Sequence, residues 1–549
     1  MKHIVLICCS LLAMTAIAQQ DSLAKLWDKR YGGLLMDEIS WTIQTADGGY
    51  LLGGSVYSGI GGDKTQDNWD ITYNTYDFWV VKTDSLGNKQ WDKRFGGFSD
   101  DGIGVSSIRQ TKDNGFILGG ISSSDSGGDK TQACWGGFDY WMVKIDSNGN
   151  KMWDKRLGGT NEELLWCLQI TADGGYILGG YSHSGISGDK TQDNWDISES
   201  TADYWIVKTD SLGNKQWDKR YGGTDDDELT DLIQTRDGGY ILVGGSASDS
   251  SGDKTQNNWA PGNYNYWIVK TDSAGNQLWD KRFGGNAEDE AISVVETPDD
   301  GFVIGGISNS NISGDKTQNT QGGDDYWIIK IDSLGNKLWD KDYGGTRNDD
   351  LSNLVITSDG GILLAGNSES SIGGDKMENN VGARQTWLIK TDSAGNKLWD
   401  KTIFVNGPAI TSNAFQTQDG CYLIGSWTAA EPGYYKTQAS WDSSADYWIV
   451  KFRDTTIITG IKDITTNLQL NVYPNPFTNE LDITLAQQNL KQADFSICNM
   501  LGQTVYTQHE TNLSPSYTKM LDLSYLPNGV YLVEVVVDGE VGVREVVKQ

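Results

Sequence analysis

The sequence predicts an all-β protein, in which a seven-bladed β-propeller is followed by a small C-terminal β-sandwich. A Trp-Asp-Lys segment recurs seven times at intervals of 60 to 64 residues. Each interval contains four short segments rich in aromatic and β-branched residues, and no helical period of comparable length. Such four-stranded units without covering helices favour radial closure, which leaves few exposed strand edges, over a linear β-solenoid.

Two tryptophans define each of the seven units. The tryptophan of the Trp-Asp-Lys strand occurs at Trp27, Trp91, Trp153, Trp217, Trp279, Trp339 and Trp399. The tryptophan of a second strand, typified by Tyr-Trp-Ile-Val-Lys, occurs at Trp79, Trp141, Trp205, Trp267, Trp327, Trp387 and Trp448. In the unit that starts at Trp217, the turn Asp237-Gly238-Gly239 predicts a hairpin, because glycine readily adopts the positive φ that such turns need.

The two ends of the repeat predict how the propeller closes. The chain opens with an orphan strand near residues 26–31, and the last unit ends on a strand at residues 447–452. If each blade takes the Trp-Asp-Lys strand that follows it, the N-terminal strand completes the last blade. We therefore expect one sheet to hold both ends of the repeat.

The segment KTDSLGNKQW resembles the D-x-x-G-x-x-x-W docking motif in propellers of pyrroloquinoline-quinone enzymes. The resemblance implies that the tryptophan packs between neighbouring blades. No quinone motif and no haem-attachment motif such as C-x-x-C-H accompanies it. It therefore concerns architecture and does not imply a dehydrogenase.

Segments outside the repeat predict export. Lys2 and His3 precede an apolar run that ends in Ala16-Ile17-Ala18, which is typical of a signal peptide over residues 1–18. We expect the propeller over residues 19–454, a linker over 455–467 and the C-terminal domain over 468–549. No later stretch reaches the roughly 18 apolar residues of a spanning helix, so no transmembrane segment is predicted.

Composition narrows the partners. A formal net charge of −30 repels phosphate backbones, so nucleic acid is not expected as a partner, whereas cations, neutral glycans and basic protein surfaces suit an acidic protein. The cysteines after the signal peptide are Cys134, Cys167, Cys421 and Cys498. They share no repeat position and form no C-x-x-C pair, so we expect free thiols rather than a disulfide framework or a zinc site.

The C-terminal domain carries the motifs of a known family. It contains Tyr-Pro-Asn-Pro-Phe, Leu-Gly-Gln, Leu-Pro-Asn-Gly-Val-Tyr and a final Val-Val-Lys, and it resembles the type IX secretion sorting domains of Bacteroidota. The resemblance implies transport across the outer membrane by the type IX machinery, cleavage by a surface sortase, and a passenger that is anchored on the cell or released. The residues assigned to the sorting motif are Tyr473, Pro474, Asn475, Pro476, Leu501, Gly502, Gln503, Pro527, Gly529, Tyr531 and Lys548.

Strand parity places the long, variable connections on one face of the propeller, and acidic residues recur there. The acids follow the Gly-Gly of the Trp-Asp-Lys strand by four residues, at Asp37, Asp101, Glu163, Asp227, Asp289 and Asp349. They could form a carboxylate ring at the mouth of the tunnel that attracts cations. The alternative, which we favour, is that each carboxylate caps backbone amides in its own blade.

The connection between the third and fourth strands carries a Gly-Asp-Lys-Thr-Gln motif. Oxygen-bearing side chains alternate there, for example at Asp63, Thr65, Asp67, Asp189, Thr191 and Asp193. Ca²⁺ binds such ligands at comparable spacing, but the glycine and the distal glutamate of a calcium loop are absent. An Asp/Lys/Thr network that pins the loop is favoured over a Ca²⁺ site, and no other cofactor is predicted.

The same connections hold a third tryptophan in five units, at Trp69, Trp135, Trp195, Trp259 and Trp441. Their neighbours are polar, and an exposed indole ring beside amides and carboxylates is a common way to bind sugars. The alternative is that these rings cover the edges of the blades. The sequence leaves both interpretations open.

These observations predict a non-catalytic protein, on the cell surface or secreted, that binds a glycan or protein ligand through its long-loop face. One alternative is a secreted carbohydrate-active enzyme, a glycosidase or lyase, that uses carboxylates on that face. Another is a structural spacer without a ligand. Only His183 and His509 occur outside the signal peptide, and they lie in different domains, which provides no obvious catalytic triad and no repeated metal site.

Overall fold

The computed structural model describes residues 23–455, 469–486, 491–499, 504–511, 513–537 and 540–549. The chain divides into two compact units, an N-terminal unit that ends at Thr456 and a C-terminal unit over Ile457–Gln549. The predicted signal peptide and nearly all of the predicted linker lie outside the described residues. No helix among the described residues has the length and apolar composition needed to cross a membrane.

The N-terminal unit is built from strands, with one short 3-10 turn at Trp441–Ser443. The strands are β1 (Leu23–Tyr31), β2 (Asp37–Gln44), β3 (Tyr50–Val56), β4 (Asp77–Thr83), β5 (Lys89–Phe95), β6 (Asp101–Gln110), β7 (Phe116–Ser122), β8 (Asp139–Ile145), β9 (Lys151–Leu157), β10 (Glu163–Ile170), β11 (Tyr176–Ser182), β12 (Asp203–Thr209), β13 (Lys215–Tyr221), β14 (Asp227–Gln234), β15 (Tyr240–Ser246), β16 (Asn265–Thr271), β17 (Gln277–Phe283), β18 (Asp289–Glu296), β19 (Phe302–Ser308), β20 (Asp325–Ile331), β21 (Lys337–Tyr343), β22 (Asp349–Ile356), β23 (Ile362–Ser368), β24 (Gln385–Thr391), β25 (Lys397–Ile403), β26 (Ile410–Gln416), β27 (Tyr422–Thr428) and β28 (Asp446–Asp454).

These strands form antiparallel four-stranded sheets in sequence order. The sheets are sheet 1 (β2 to β5), sheet 2 (β6 to β9), sheet 3 (β10 to β13), sheet 4 (β14 to β17), sheet 5 (β18 to β21), sheet 6 (β22 to β25) and sheet 7 (β26, β27, β28 and β1). We call the first strand of each sheet its inner strand, because the inner strands of consecutive sheets contact one another. The predicted all-β fold of repeated four-stranded antiparallel sheets is confirmed.

Local chemistry explains the hairpins within a sheet. In sheet 4, Gly238 has a φ of 84°, which a residue with a side chain adopts only with strain. The following turn is held by the Asp272 carboxylate, which accepts hydrogen bonds from the backbone N–H groups of Ala274 at 2.9 Å and Asn276 at 2.8 Å. Both turns therefore form from residues adjacent in sequence, and both lie on the same side of the sheet.

The hydrophobic core lies between neighbouring sheets. One cluster of buried side chains joins each sheet to the next, and a further cluster joins sheet 7 to sheet 1. Every sheet has one tryptophan in its Tyr-Trp-Ile-Val-Lys strand or the equivalent strand, as Trp79 in β4. This tryptophan is fully buried in the core. Its indole N–H donates to the aspartate of the Trp-Asp-Lys strand, as from Trp79 to Asp92 at 3.1 Å, so the buried nitrogen is satisfied.

The N-terminal strand lies in the last sheet. Strand β1 pairs with β28, from Leu23 opposite Asp454 to Tyr31 opposite Tyr447. Trp448 donates its indole N–H to Asp28 at 3.0 Å, the same contact that Trp79 makes with Asp92 within sheet 1. Sheet 7 therefore joins both ends of the repeat.

The C-terminal unit contains a three-stranded and a four-stranded antiparallel sheet. Its strands are β29 (Gln469–Tyr473), β30 (Glu480–Ala486), β31 (Gln492–Asn499), β32 (Thr504–Thr511), β33 (Ser516–Asp522), β34 (Gly529–Val537) and β35 (Glu540–Lys548). Alternate residues of β30 are buried, as expected for a strand with one face on a core. Ile483 of the first sheet shares a buried cluster with Phe495 and Val533 of the second, which is the packing of a small β-sandwich.

Candidate functional site

The third tryptophan of a unit joins its sheet to the next sheet. Trp259, in the loop between β15 and β16 of sheet 4, donates its indole N–H to Asp315 of sheet 5 at 2.9 Å. The Arg282 guanidinium lies 4.3 Å from the centre of the Trp259 ring and donates to the same carboxylate at 2.9 Å. A side chain on Gly314, which precedes Asp315, would lie 2.4 Å from the indole nitrogen. We call this arrangement of tryptophan, arginine and aspartate the tryptophan latch.

The latch recurs at five junctions between sheets. Its members are Trp69 with Arg94 and Asp129, Trp135 with Arg156 and Asp189, Trp195 with Arg220 and Asp253, Trp259 with Arg282 and Asp315, and Trp441 with Arg30 and Asp63. The last of these joins sheet 7 to sheet 1. Between sheets 5 and 6, Gln321 takes the place of the tryptophan and donates to Asp375.

The latch contacts bear on the prediction that these tryptophans bind a sugar. The ring of Trp135 is 53% exposed, and that of Trp195 is 43% exposed. An arginine already covers one face of each ring, and the ring edge rests on a glycine of the next sheet. These contacts favour the alternative in which the rings cover the blade edges, because a ligand would have only part of each indole to stack on.

The six acids that follow the Gly-Gly segments are fully buried and do not line an open mouth. Each carboxylate accepts a hydrogen bond from the backbone N–H four residues earlier, at 2.6 to 2.7 Å. Each also accepts one from a serine hydroxyl at 2.7 to 3.0 Å. These contacts favour local capping over a cation-attracting ring.

Lysines of the Gly-Asp-Lys-Thr-Gln loops are buried beside these acids. They are Lys64, Lys130, Lys190, Lys254, Lys316, Lys376 and Lys436, and none is more than 3% exposed. Lys254 Nζ donates to Ser246 Oγ at 2.8 Å, to the Ser248 carbonyl at 2.6 Å and to Asn258 Oδ1 at 2.6 Å. Burial lowers the pKa of Lys64 to about 8, and that of Lys190 likewise to about 8.

The residues considered as calcium ligands point to separate partners. Asp63 accepts from Arg30 and from Trp441, whereas Asp67 accepts from the backbone N–H of Ile60 at 2.7 Å. In the second loop, Asp189 pairs with Arg156 at 3.2 Å, Thr191 donates to Asp218 at 2.8 Å, and Asp193 accepts from Ile186 at 2.7 Å. Within the part of the chain that the structure describes, no three His, Cys, Asp or Glu side chains are grouped to hold a metal ion. The contacts favour the loop-pinning network.

Carboxylates also meet in pairs at the junctions. A side chain on Gly96 would lie 2.2 Å from Asp77 Oδ1 and 3.1 Å from Asp101 Oδ2, so these acids face each other across the glycine. Burial raises the pKa of Asp77 to about 8, and the neighbouring Asp101 adds to that shift while Arg94 opposes it. Burial likewise raises the pKa of Asp37 to about 7. These groups belong to the interior of the fold rather than to an open site.

A different set of positions surrounds the inner strands on the long-loop side, and here the units differ, although the second residue of the inner strand is acidic in four of six sheets. These positions are the second residue of the inner strand, the residue after the second strand of the sheet and the residue before the third. We call them the inner layer: Glu38, Tyr57, Tyr76, Gly102, Ser123, Phe138, Leu164, His183, Ala202, Glu228, Ala247, Tyr264, Glu290, Asn309, Asp324, Asp350, Glu369 and Arg384. The position just before the second residue, by contrast, is acidic in every one of these six sheets.

The inner layer lines a cavity of about 370 Å³ that spans sheets 1 to 3. We call it the aromatic cavity, because Tyr57, Tyr76 and Trp166 line it together with Ile103, Val105, Ile121, Leu164 and Leu165. The rings of Tyr57 and Tyr76 meet edge to face, with their centres 5.5 Å apart. Its polar lining consists of Glu38, Ser40 and Ser55 in addition to the tyrosine hydroxyls.

A second cavity, of about 230 Å³, lies at sheets 4 and 5 and is lined by Glu228, Tyr264, Glu288, Glu290, Ile307 and Asp324. We call it the acidic cavity. Tyr264 donates its hydroxyl to Glu228 at 3.2 Å. Burial raises the pKa of Glu290 to about 7, and the nearby Glu228 adds to the shift.

The recurring residues predict neither cavity, because those residues hold the sheets together. The residues that distinguish the aromatic cavity are departures from the repeat: Gly102 where other sheets have a larger side chain, Trp166 where β2 has Ser40, and β6 with ten residues where β2 has eight. Comparing the units for their differences would have pointed to these positions.

The predicted sorting motifs come together in the C-terminal unit where the structure describes them. Phe477, which follows Pro476, donates its backbone N–H to the Val547 carbonyl at 2.8 Å. Lys548 is 5% exposed and donates to the Leu523 carbonyl at 2.6 Å, and Tyr531 donates to the Pro527 carbonyl at 2.7 Å. Leu501, Gly502 and Gln503 lie outside the described residues.

The described sorting motifs lie together in a compact β-sandwich, which follows the repeated all-β unit in the chain. This order is typical of a passenger that is exported by its own transport domain. Residues 471–549 match the family described as secretion system C-terminal sorting domain. The C-terminal unit is therefore a type IX secretion sorting domain, which directs the protein to the cell surface or the extracellular space.

Other similarities are weak. Regulatory protein FlaEY of Caulobacter vibrioides is 25% identical over 230 residues, which are 40% of this chain and 24% of that protein, so the chain spans about a quarter of that relative. An apocarotenoid oxygenase of Synechocystis is 11% identical with a TM-score of 0.38, covering 73% of this chain and 87% of that chain. An exo-β-1,3-galactanase from Phanerochaete chrysosporium is 9% identical with a TM-score of 0.29, covering 82% of this chain and 97% of that chain. These TM-scores identify neither a common fold nor a common activity.

Proposed function

We propose that the N-terminal unit is a closed seven-bladed β-propeller that the sorting domain exports, and that it binds an extracellular ligand without catalysis through the inner layer. The observation that carries the proposal is the contrast between units that match one another closely and an inner layer in which they differ. A structural spacer has no need of such differences. A ligand that lacks the symmetry of the repeat requires such differences, because each blade then contacts a different part of the ligand.

Closure is supported by contacts that recur between neighbouring sheets and again between sheet 7 and sheet 1. Tyr447 donates to the Trp79 carbonyl at 3.2 Å, as Tyr204 donates to that of Trp267 at 3.1 Å. The latch of Trp441 joins the same two sheets. In addition, the ends of inner strands from sheets 3 to 6 line one cavity of about 690 Å³ with Lys112 of sheet 2, as expected for strands arranged around an axis.

The proposal is tested on the secreted protein as it is recovered from the cell surface or the medium. It is screened against arrays of glycans and of extracellular proteins, and the binders are titrated against the inner-layer variants Glu38→Gln and Glu228→Gln. We expect at least one of these changes to weaken binding about tenfold or more. Trp195→Phe, which keeps a ring in the latch, serves as the control and should bind as the unaltered chain does.

Two outcomes would contradict the proposal. Binding that is lost in Trp195→Phe and kept in both inner-layer variants would return the site to the latch tryptophans. A chain that folds, is exported and binds nothing on either array would favour a spacer.

A second function is favoured by the acidic cavity. A glycosidase needs two carboxyl groups, one of which keeps its proton near neutral pH, and Glu290 beside Glu228 meets that need. Asp227 is unsuitable, because it is fully buried and bonded to Gly223 and Ser248. Release of reducing ends from polysaccharides that Glu290→Gln abolishes, with the fold retained, would replace the binding role by this one.

A further inference from the structure

We propose that the aromatic cavity is a binding subsite for a neutral saccharide. This inference rests on the proposed function and specifies it, because it assigns one part of the inner layer to one class of ligand.

The cavity is built by two departures from the repeat. Gly102 occupies the position that holds Glu38 in sheet 1 and Leu164 in sheet 3, and a Cβ there would already lie 3.0 Å from both Ser55 Oγ and the Tyr76 ring. The two additional residues of β6 produce a bulge, with Ser106 at a φ of 56°, which places Val105 in the cavity lining. The other inner strands have a smaller register shift at this place, and they have seven or eight residues where β6 has ten.

The bulge is held in place by the surrounding protein. Ser107 donates its hydroxyl to the carbonyls of Val105 and Trp166, each at 3.1 Å. The cavity lining is therefore fixed before a ligand arrives, which lowers the entropic cost of binding.

The polar groups of the cavity are not used by the protein. No hydrogen bond within the described residues engages the side chains of Glu38, Ser40 or Ser55, or the hydroxyls of Tyr57 and Tyr76, although all five are partly buried. Burial raises the pKa of the Glu38 carboxyl. These five residues converge on one open cavity, so a ligand that carries hydrogen-bonding groups can replace the water that they bind.

The chemistry of the lining selects the ligand class. The rings of Trp166 and the two tyrosines offer apolar faces to the C–H face of a sugar ring, while Glu38 and the hydroxyls accept and donate hydrogen bonds at its rim. A purely apolar ligand would leave the Glu38 carboxylate desolvated and unpaired. An anionic ligand would be repelled by Glu38 and by the nearby Asp100, because burial raises the pKa of Tyr76 and the charge of Asp100 adds to that shift.

The test uses the secreted protein as it is recovered from the cell surface or the medium and, as probes, short neutral gluco-, galacto-, manno- and xylo-oligosaccharides. We expect one of these series to bind in calorimetric titration. Trp166→Ala and Glu38→Gln should each weaken that binding about tenfold or more, because one removes the stacking face and the other the charged acceptor. Gly102→Leu should abolish it by filling the cavity with the side chain that sheet 3 carries.

The control is Trp195→Phe, which changes a latch tryptophan outside the inner layer. It should bind the saccharide as the unaltered chain does. Saccharide binding that survives Gly102→Leu would place the sugar elsewhere in the inner layer and leave the proposed function intact. Binding of a protein or peptide instead of any saccharide would overturn the saccharide assignment alone. The absence of every ligand would overturn the proposed function as well.

Discussion

The latch tryptophans and Trp166 lie on the same side of the N-terminal unit and serve different purposes. Each latch tryptophan is covered by an arginine and bound to the next sheet, and it recurs at five junctions. Trp166 occurs once, on an inner strand, and lines a cavity. The comparison shows that, in a chain of near-identical units, a recurring residue is first a candidate for holding the units together. A residue that breaks the repeat is a candidate for contact with a ligand.

The largest effect is expected from pH, because it acts on every junction at once. The pKa values of Asp37 and Asp77 are raised by burial to about 7 and about 8, so their contribution to stability is complete below about pH 4 and is lost as the pH rises through those values. The pKa of Lys64 and of Lys190 is lowered to about 8, so their contribution is present above about pH 10.5 and is lost as the pH falls through 8. The free energy of unfolding should therefore pass through a minimum near pH 8.

Urea denaturation followed by tryptophan fluorescence from about pH 5 to pH 10 measures this dependence. Asp77→Asn is the matched variant, because sheet 4 naturally has Asn265 at that position, and it should make the profile flatter. A free energy of unfolding that does not change over this range would mean that the buried acids and lysines are charged pairs. The junctions between sheets would then be stabilised by ion pairing.

A single buried lysine should have the next largest effect. Lys254→Met removes the cation that contacts Ser246, Ser248 and Asn258 and leaves the buried Asp227 without its neighbouring positive charge. We expect a loss of about 4 kcal/mol in the free energy of unfolding. Lys112→Met, at an exposed lysine, should change it by less than about 0.5 kcal/mol.

Removing one latch should cost about half as much. Trp259→Ala deletes the ring below Arg282 and the hydrogen bond to Asp315, and we expect a loss of about 2 kcal/mol, since nearly half of the ring is already exposed. Trp259→Phe keeps a ring and should lose about 1 kcal/mol. Neither change should alter the affinity of a ligand that binds in the aromatic cavity. A loss of binding without a loss of stability would mean that the latch tryptophans contact the ligand.

The smallest effect should come from building a latch where none exists. Gln321→Trp with Asp342→Arg gives sheets 5 and 6 the residues of the other junctions, and Asp375 is already in place to receive them. Lys316 loses its bond to Asp342 but keeps its bond to Ser308 at 2.8 Å. We expect a gain of about 1 kcal/mol in the same denaturation assay, and a loss would show that the latch depends on more than its three side chains.

The fold could be predicted from the sequence because its causes are local and repeated. Turns such as Asp272-Ser273-Ala274-Gly275-Asn276 form from adjacent residues, and each unit supplies the same apolar surface to its neighbour. The pairing of β1 with the last sheet also followed from counting strands.

The site could not be predicted in the same way, because the contacts that decide it join different units. Nothing in the sequence near Trp259 shows that Asp315 and Arg282 will enclose the ring, and an exposed aromatic platform and a latch have the same local composition. The aromatic cavity depends on a glycine and a bulge of sheet 2 and on an indole of sheet 3. Only their position in space relates them.

Strand β1 has a consequence for how the protein is made. Asp28 of β1 and Trp448 of β28 are hydrogen-bonded although they lie 420 positions apart in the chain. Bringing such distant segments together is slow, because the loop-closure entropy is lost before the contact is gained. Synthesis delivers β1 first and its partner strand last, so a nascent chain keeps an unpaired edge until translation of the whole repeat is complete.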